Sequence, residues 1–350
     1  MARKTIADVA RLATVSKATV SRVLAGQDKY IRPETRRRVL KAIDELGYRP
    51  SDTARSLKSK RSCTLGVVGY GLEFFGPSCT ISGIEQEASE LGYTLLLHLI
   101  RQPENNNVEE LLEKMQSRYV DGIIWAVPEI GNNHAWLDDK TRWPSVPIIF
   151  LSAEPRPDRF VAVVDNYNGG LMATRHLIAQ GCQNIGLISG PLDWWEARQR
   201  KLGWKDALES VGLPRQEGFV VEGNWSATSG EYGLMQLLSH HPEIDGVVVS
   251  NDRMAVGAFK TAQQLGRHIP EDLAIIGYDD VQDAEYFSPP LSTIRQDMIE
   301  LGRLAVRKLG QVIEAQHNDI VCPPEAVILQ PELIVRTSSL LNKGGDVYGG

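Results

Sequence analysis

No apolar run in this 350-residue chain approaches the roughly 20 residues needed to span a bilayer. The opening residues, Met1-Ala2-Arg3-Lys4-Thr5-Ile6-Ala7-Asp8, carry no apolar core of the kind that marks an export signal. Both absences point to a cytoplasmic protein with no membrane partner. Cysteine is scarce as well. Cys63, Cys79, Cys182 and Cys322 stand far apart with no Cys-x-x-Cys pair, which excludes a disulfide framework and a zinc site and leaves isolated thiols packed as small hydrophobes. No nucleophile motif, metal-ligand spacing or phosphate-cradling glycine loop occurs, so neither catalysis nor a metal or cofactor is expected.

What is present is length beyond one ordinary hydrophobic core, which predicts two or three domains. The net charge of −6 hides an asymmetry. Residues 1–61 hold 16 Lys and Arg against 6 Asp and Glu, a balance of +10, and the remaining 22 and 38 leave −16. A basic head on an acidic body points to nucleic acid at one end only.

That head reads as three short helices. Thr5 caps the first, Asp8 brings negative charge to its start, and Ile6, Val9, Ala10 and Ala13 recur at helical spacing. Thr14-Val15 breaks the chain, and Ser16 caps a second helix through Leu24. There Val20, Val23 and Leu24 face inward, and Lys17, Ala18, Ser21 and Arg22 face out. A third helix starts at Pro33-Glu34, buries Val39, Leu40, Ile43 and Leu46, and stops at Gly47. Two helices about four residues apart, the second presenting short polar and basic side chains, fit a DNA major groove. Arg22 can donate twice to guanine, Lys17 reaches base edges, and Ala18 offers apolar contact to a thymine methyl. Thr19 and Ser21 are short enough to bond phosphates.

The segments Thr5-Ile6-Ala7-Asp8-Val9-Ala10, Val15-Ser16 and Thr19-Val20-Ser21-Arg22-Val23-Leu24 resemble the headpiece of the lactose-repressor (LacI/GalR) family. So do Pro33-Glu34-Thr35-Arg36-Arg37-Arg38-Val39 and Glu45-Leu46-Gly47-Tyr48-Arg49-Pro50. Thr14 departs from the family's usual glycine, which strains the turn if its backbone is left-handed. The resemblance implies DNA contacts from Thr5, Ser16, Lys17, Ala18, Thr19, Ser21 and Arg22. Residues 51–61 are polar and basic around one leucine and read by themselves as a flexible linker. The family implies more: a hinge helix formed on DNA, in which Ala54 and Leu57 lie at the minor groove and Leu57 wedges between base steps.

From Leu65 onward short apolar runs alternate with helical stretches, as in parallel α/β sheets. Strands are predicted at 65–69, 93–97, 122–125 and 147–151. The rhythm restarts at Val161–Val164 and continues with strands at 185–189, 246–250 and 273–278. Helices are expected over 81–91 and 169–180. Two such sets predict two similar lobes with a cleft between them. Polar residues fall just after strands: Asp165-Asn166, Asn251-Asp252 and Asp279-Asp280. Each singly is a helix cap; together they favour a ligand site, since ligands bind at the carboxyl ends of parallel strands.

The family resemblance runs over residues 3–338, with Gly277-Tyr278-Asp279-Asp280 and Pro289-Pro290-Leu291-Ser292-Thr293-Ile294-Arg295-Gln296-Asp297 among its signatures. It implies an all-α helix-turn-helix headpiece (1–50), a hinge (51–61), a two-lobed periplasmic-binding-protein-like α/β domain of two doubly wound parallel sheets (62–338) and a flexible tail (339–350). It implies effector contacts from Ser78, Ser152, Arg200, Trp225, Asn251, Asp279 and Met298. Those residue types suit a sugar: arginine donates to and aspartate accepts from neighbouring hydroxyls, and an indole covers the C–H face of a pyranose. Core packing is the plainer role for Trp225. Ser152 stands where the lactose repressor has an effector-binding aspartate, and Met298 where it has an aromatic; Trp125, Trp194 and Trp195 lie near strand ends with open roles. The implied protein is a homodimeric repressor on a pseudo-palindromic operator, with the helix at 81–91 in the dimer interface. The tail has no sustained heptad, so no coiled-coil arm is expected. Family members answering to purines or to a phosphorylated protein keep those effectors open. A sugar receptor without a transcriptional role, and a glycosidase built on Asp165, Asp252 and Asp279, are readings of other classes.

Overall fold

A computed structural model describes residues 4–24, 30–48, 61–102, 108–131, 133–139 and 143–341. The chain divides into two compact units, Met1–Cys63 and Thr64–Gly350. The expected hinge, with Ala54 and Leu57, lies outside the described residues except for Arg61.

In the first unit, helices α1 (Ile6–Leu12), α2 (Lys17–Leu24) and α3 (Pro33–Leu46) enclose a core of Val9, Ala10, Ala13, Val20, Val23, Val39 and Ala42. The Asp8 carboxylate accepts from the Thr5 backbone N–H at 2.9 Å and from its hydroxyl at 2.8 Å, which ties down the start of α1. Thr14 adopts φ 55° in the turn, the left-handed conformation that the sequence made a concern. Ser16 starts α2 by accepting from the Thr19 N–H at 3.1 Å. Gly47, at φ 56°, closes α3. One expectation fails here. Leu40 is 42% exposed and Ala42 is buried instead, because Val39, Ala42, Ile43 and Leu46 share one helical stripe and Leu40 lies about 60° beyond its edge.

The second unit contains two six-stranded sheets. The first is built from β1 (Thr64–Gly69), β2 (Thr94–Leu99), β3 (Gly122–Ala126), β4 (Ile148–Leu151), β5 (Phe160–Val164) and β11 (Ala326–Leu329), all paired parallel in the order β11-β5-β4-β3-β1-β2. Alternate strand residues point to opposite faces and both faces are covered, so the strands read as continuous apolar runs. Val68, Ile123, Phe150 and Val163 fill one side, and Val67, Ile124, Ile149 and Val164 fill the other. Helix α4 (Phe75–Glu90) starts six residues before the sequence reading and crosses α10 (Met298–His317) on this sheet. A shorter helix, α5 (Val108–Ser117), buries Leu111, Leu112 and Met115 in the same lobe.

The second sheet holds β6 (Ile185–Ser189), β7 (Val220–Glu222), β8 (Gly246–Val249), β9 (Ala274–Asp279), β10 (Ser292–Arg295) and β12 (Glu332–Ile334) in the order β12-β10-β9-β8-β6-β7, with only the β12 edge antiparallel. Its helices are α6 (Asn166–Gln180), α7 (Trp195–Glu209), α8 (Ala227–His240) and α9 (Asp252–Gln264).

The lobes are interleaved rather than consecutive, which corrects the restart placed at Val161. That strand pairs with β4 in the first sheet, and only the helix after it enters the second lobe. The chain crosses back between β10 and α10, and again between β11 and β12, so three strands of backbone connect the lobes. β7, β11 and β12 are edge strands of only three or four partly exposed residues, too short for a strand period to show in the sequence. The expected tail begins inside the fold. Ser339 is buried, its hydroxyl 2.7 Å from His176 Nε2, and residues 342–350 lie outside the described set. No described helix is long and apolar enough to cross a membrane.

Candidate functional site

On the headpiece, Lys17, Ala18 and Arg22 are exposed on α2. Thr19 and Ser21 are half-buried, and the hydroxyls of Ser16 and Thr19 lie 2.9 Å apart. Thr5 is exposed at the start of α1. The side chains offered to bases therefore share one face, as an α-helix presents to a groove.

The second unit holds a cleft of about 90 Å³ between its lobes, at the carboxyl ends of the strands. Six of the seven expected effector residues line it: Ser152, Arg200, Trp225, Asn251, Asp279 and Met298. Ser78 does not. It is exposed on α4, and its hydroxyl donates to the Phe75 carbonyl at 2.9 Å. The first turn of α4 reaches the cleft through Phe75, Gly76 and Pro77 instead.

Arg200 is buried at the centre. Its Nε donates to Asn166 Oδ1 at 2.8 Å, a terminal nitrogen donates to the Ser250 carbonyl, and the other reaches Gln296 Oε1 at 3.4 Å. Its position depends on close approach of α6 and α7. A Cβ on Gly170 would sit 2.3 Å from the Arg200 carbonyl oxygen, and one on Gly203 would sit 2.2 Å from that of Tyr167. Only glycine admits that crossing. The Gln296 amide in turn donates to Asp279 Oδ1 at 2.7 Å. Burial pushes the Asp279 carboxyl up to about 6, with Arg200 and Gln296 opposing it.

Asn251 combines the two roles that its sequence position allows. It caps α9 by accepting from the Met254 N–H at 2.8 Å, and its Nδ2 donates to the Trp225 carbonyl at 3.2 Å. Trp225 sits at φ 67°, with its indole in the space left by Gly190, where a Cβ would come within 2.0 Å of the ring. Its Nε1 is buried with no partner. Trp194 meets it edge-on at 5.7 Å between centroids.

The remaining carboxylates are structural. Asp165 caps α6, accepting from the Asn168 N–H at 3.0 Å. Asp252 is buried, accepting from the Thr293 hydroxyl at 2.7 Å and the Val281 N–H at 3.0 Å, and does not line the cleft. Asp280 pairs with Arg295 and Arg336. Of Asp165, Asp252 and Asp279 only Asp279 lines the cleft, so the acid pair that a glycosidase needs is not assembled from these three. No cluster of three metal-ligating side chains occurs among the described residues. Sequence reasoning does not single out Glu196, Gln296 or Phe74, all of which line the cleft. A polar residue directly after the aromatic pair Trp194-Trp195, close behind a strand end, is the signal that locates Glu196.

Residues 5–51 match the family model of the bacterial regulatory proteins of the lacI family, and residues 174–339 match the periplasmic binding protein-like domain. The chain is 36% identical over 306 residues to the ribose operon repressor of Escherichia coli (strain K12), covering 86% of this chain and 91% of that one. It is 34% identical over 339 residues to the HTH-type transcriptional repressor PurR of Shigella sonnei (strain Ss046), covering 95% and 96%. Among solved structures, a lac repressor dimer bound to operator and the anti-inducer ONPF superposes with TM-score 0.85 at 30% identity, covering 97% of this chain and all of that one. A complex of the transcriptional regulator CelR with cellobiose gives 0.70 at 29% identity, covering 96% of this chain. A helix-turn-helix unit joined to a two-lobed binding domain defines a DNA-binding transcriptional regulator. The chain belongs to the lacI family of bacterial regulatory proteins.

Proposed function

We propose that this regulator is a homodimeric repressor of a pseudo-palindromic operator, and that a small carbohydrate in the cleft sets its affinity for DNA. The observation that carries the effector class is the convergence of Arg200, Asn251 and Asp279 beside the Trp225 indole. A buried guanidinium and a carboxyl offer a donor and an acceptor to neighbouring hydroxyls, and the indole covers an apolar sugar face. The similarity to a ribose operon repressor and to a regulator solved with cellobiose supports the same class.

On the DNA side, Lys17, Ala18 and Arg22 read bases, Thr5, Ser16, Thr19 and Ser21 hold the backbone, and Ala54 and Leu57 form the hinge with Leu57 as wedge. Two headpieces are needed because one makes too few contacts for a specific site. Coupling requires a ligand that prefers one lobe arrangement, and the effect is reciprocal.

A second reading has its own support. Phe74, Trp194 and Trp225 give the cleft several flat aromatic faces, which suit stacking on a planar purine base. Operator affinity measured with saturating pentoses, hexoses, disaccharides and purine bases decides between them. A shift of fivefold or more from a sugar supports the carbohydrate reading. A shift from purines alone replaces it, and no shift from either removes the small-molecule reading.

A further inference from the structure

Three consecutive residues at the start of the second lobe's α7 reach across to the first lobe. Trp194 packs on Tyr70 and Phe74, at 6.1 and 6.3 Å between centroids. Trp195 is buried in the first lobe's core together with Phe150 and Val163. Glu196 faces the cleft, which Ser152, the residue that follows β4 in the opposite lobe, also lines. The carboxyl thus stands beside a lobe-spanning aromatic pair in a cleft walled by both lobes.

The Glu196 Oε2 is buried without a protein partner. Burial raises its affinity for a proton, with its own backbone N–H, the Ser152 hydroxyl, Arg200 and Arg198 opposing. A carboxyl oxygen left this way costs stability unless something entering the cleft completes it. The charge around it constrains what that can be. Among the described residues lining the cleft Arg200 is the only cation, facing two acids, Glu196 and Asp279. Its guanidinium already serves Asn166, Ser250 and Gln296. Helix N-termini at this end of the sheets attract anions, but those of α6, α9 and α10 are answered by Asp165, Asn251 and Asp297, which accept from the N–H groups of Asn168, Met254 and Glu300. Of the two whose first turns line the cleft without a side-chain cap, α7 carries Glu196 itself in that turn, which leaves α4 as the one N-terminus there with no acid.

We propose that Glu196 is a specificity-determining residue of the cleft, accepting a hydrogen bond from a ligand hydroxyl and, with Asp279, restricting the site to uncharged hydroxyl-rich ligands over sugar phosphates and sugar acids. This rests on the carbohydrate reading of the same cleft. Because Phe75, Gly76, Pro77 and Ser152 of the first lobe line the same cleft, a ligand bound to Glu196 also joins the two lobes.

The test is calorimetric titration of the full chain and of Glu196→Gln. The probes are D-ribose, D-glucose, D-galactose and cellobiose, each against ribose 5-phosphate, glucose 6-phosphate, galactose 6-phosphate, gluconate or galacturonate. Wild type is expected to bind at least one neutral sugar and to disfavour its charged counterpart by tenfold or more. Glu196→Gln keeps the shape, so thermal unfolding should show it folded. It is expected to weaken the neutral sugar about tenfold or more and to narrow the neutral-to-charged ratio by a similar factor. A purely structural role would lower the unfolding temperature and leave that ratio unchanged, which overturns the proposal. A charged sugar binding wild type as tightly as its neutral form overturns it too. If wild type binds no sugar at all, the carbohydrate reading itself fails and this inference falls with it, a result seen without any variant. Should Glu196→Gln not fold, Glu196→Ala and Ser152→Ala carry the same ratio measurement, with an unchanged ratio in both counting against the proposal.

Discussion

The Arg200 guanidinium lies over the Tyr278 ring at 3.7 Å from its centroid, and 5.5 Å from that of Trp225. Stacking on one face and hydrogen bonds along the edge hold a planar fork, which lysine cannot imitate despite its equal charge. Arg200→Lys should therefore lower effector affinity by roughly 2–3 kcal/mol, or about a hundredfold, through lost geometry rather than lost charge. Calorimetry on the effector and operator binding in its absence check this. The second should change little; equal losses in both would show that the substitution damages the whole protein.

The interior of the fold was legible because its signals are local. Val67, Ile124, Ile149 and Val164 lie in apolar runs whose both-sided burial marks parallel strands. Asn251 and Asp279 were legible because they stand at strand ends, and Arg200 through its family resemblance alone, three residues before Gly203. What sequence order hides is which lobe an element joins. Phe160–Val164 and Met298–His317 both belong to the first lobe although the chain between them builds most of the second. Pairing register and long-range packing decide that, and neither leaves a periodic trace. Glu196 was hidden for the same reason, since its place in the cleft depends on first-lobe residues such as Ser152 that line the opposite wall.

Asp279 gives the empty protein a pH dependence of calculable sign. Its carboxyl stands at about 6 in the fold against an ordinary aspartate value of 3.8, so between those limits the folded chain holds a proton that the unfolded chain releases. The contribution is fully present below about pH 4 and is lost as pH rises through about 6. Asp279→Asn removes the ionisation while leaving an oxygen for Gln296, so it should be more stable than wild type at about pH 7.5 and similar at about pH 4. Urea unfolding at both values measures it. Effector affinity should fall by tenfold or more in the same variant, and an unchanged pH profile would remove Asp279 as the source.

Gly190 makes room for the Trp225 indole, with no slack for a methyl group 2.0 Å from the ring. Gly190→Ala should displace the indole, lower stability by about 1–3 kcal/mol and weaken effector binding tenfold or more. Trp225→Phe, which leaves space rather than demanding it, should retain folding and lose mainly affinity. Thermal unfolding paired with effector titration separates the two. Unaltered binding in both variants would return Trp225 to simple core packing.

Thr14 holds φ 55° with a β-branched side chain, a conformation costing roughly 1–2 kcal/mol that glycine avoids. Glycine loses more entropy on folding, by about 0.5–1 kcal/mol. Thr14→Gly should then stabilise the headpiece by up to about 1 kcal/mol. Amide hydrogen exchange in α1 and α2 of the full chain is the measurement, and protection should increase there without changing in the sheets. Faster exchange would mean that the Thr14 side chain contributes contacts exceeding its strain.

The roles proposed for Arg22 and Leu57 on DNA rest on different physics, so their variants should separate. Arg22 is exposed on α2, where a bidentate guanidinium can bond guanine N7 and O6. Arg22→Ala should cost about 1–3 kcal/mol on the operator and relax preference at one base pair of each half-site. Leu57 carries no charge, so Leu57→Ala should leave both the salt dependence and the affinity for random DNA nearly unchanged. Its loss should appear on the operator alone, where an apolar wedge supports bent DNA that the headpieces wrap. Operator and random-sequence binding across a salt series, with DNA bending followed by end-labelled energy transfer, gives every readout. Equal losses on both DNAs for Leu57→Ala would remove the wedge and leave residues 51–61 a connecting linker.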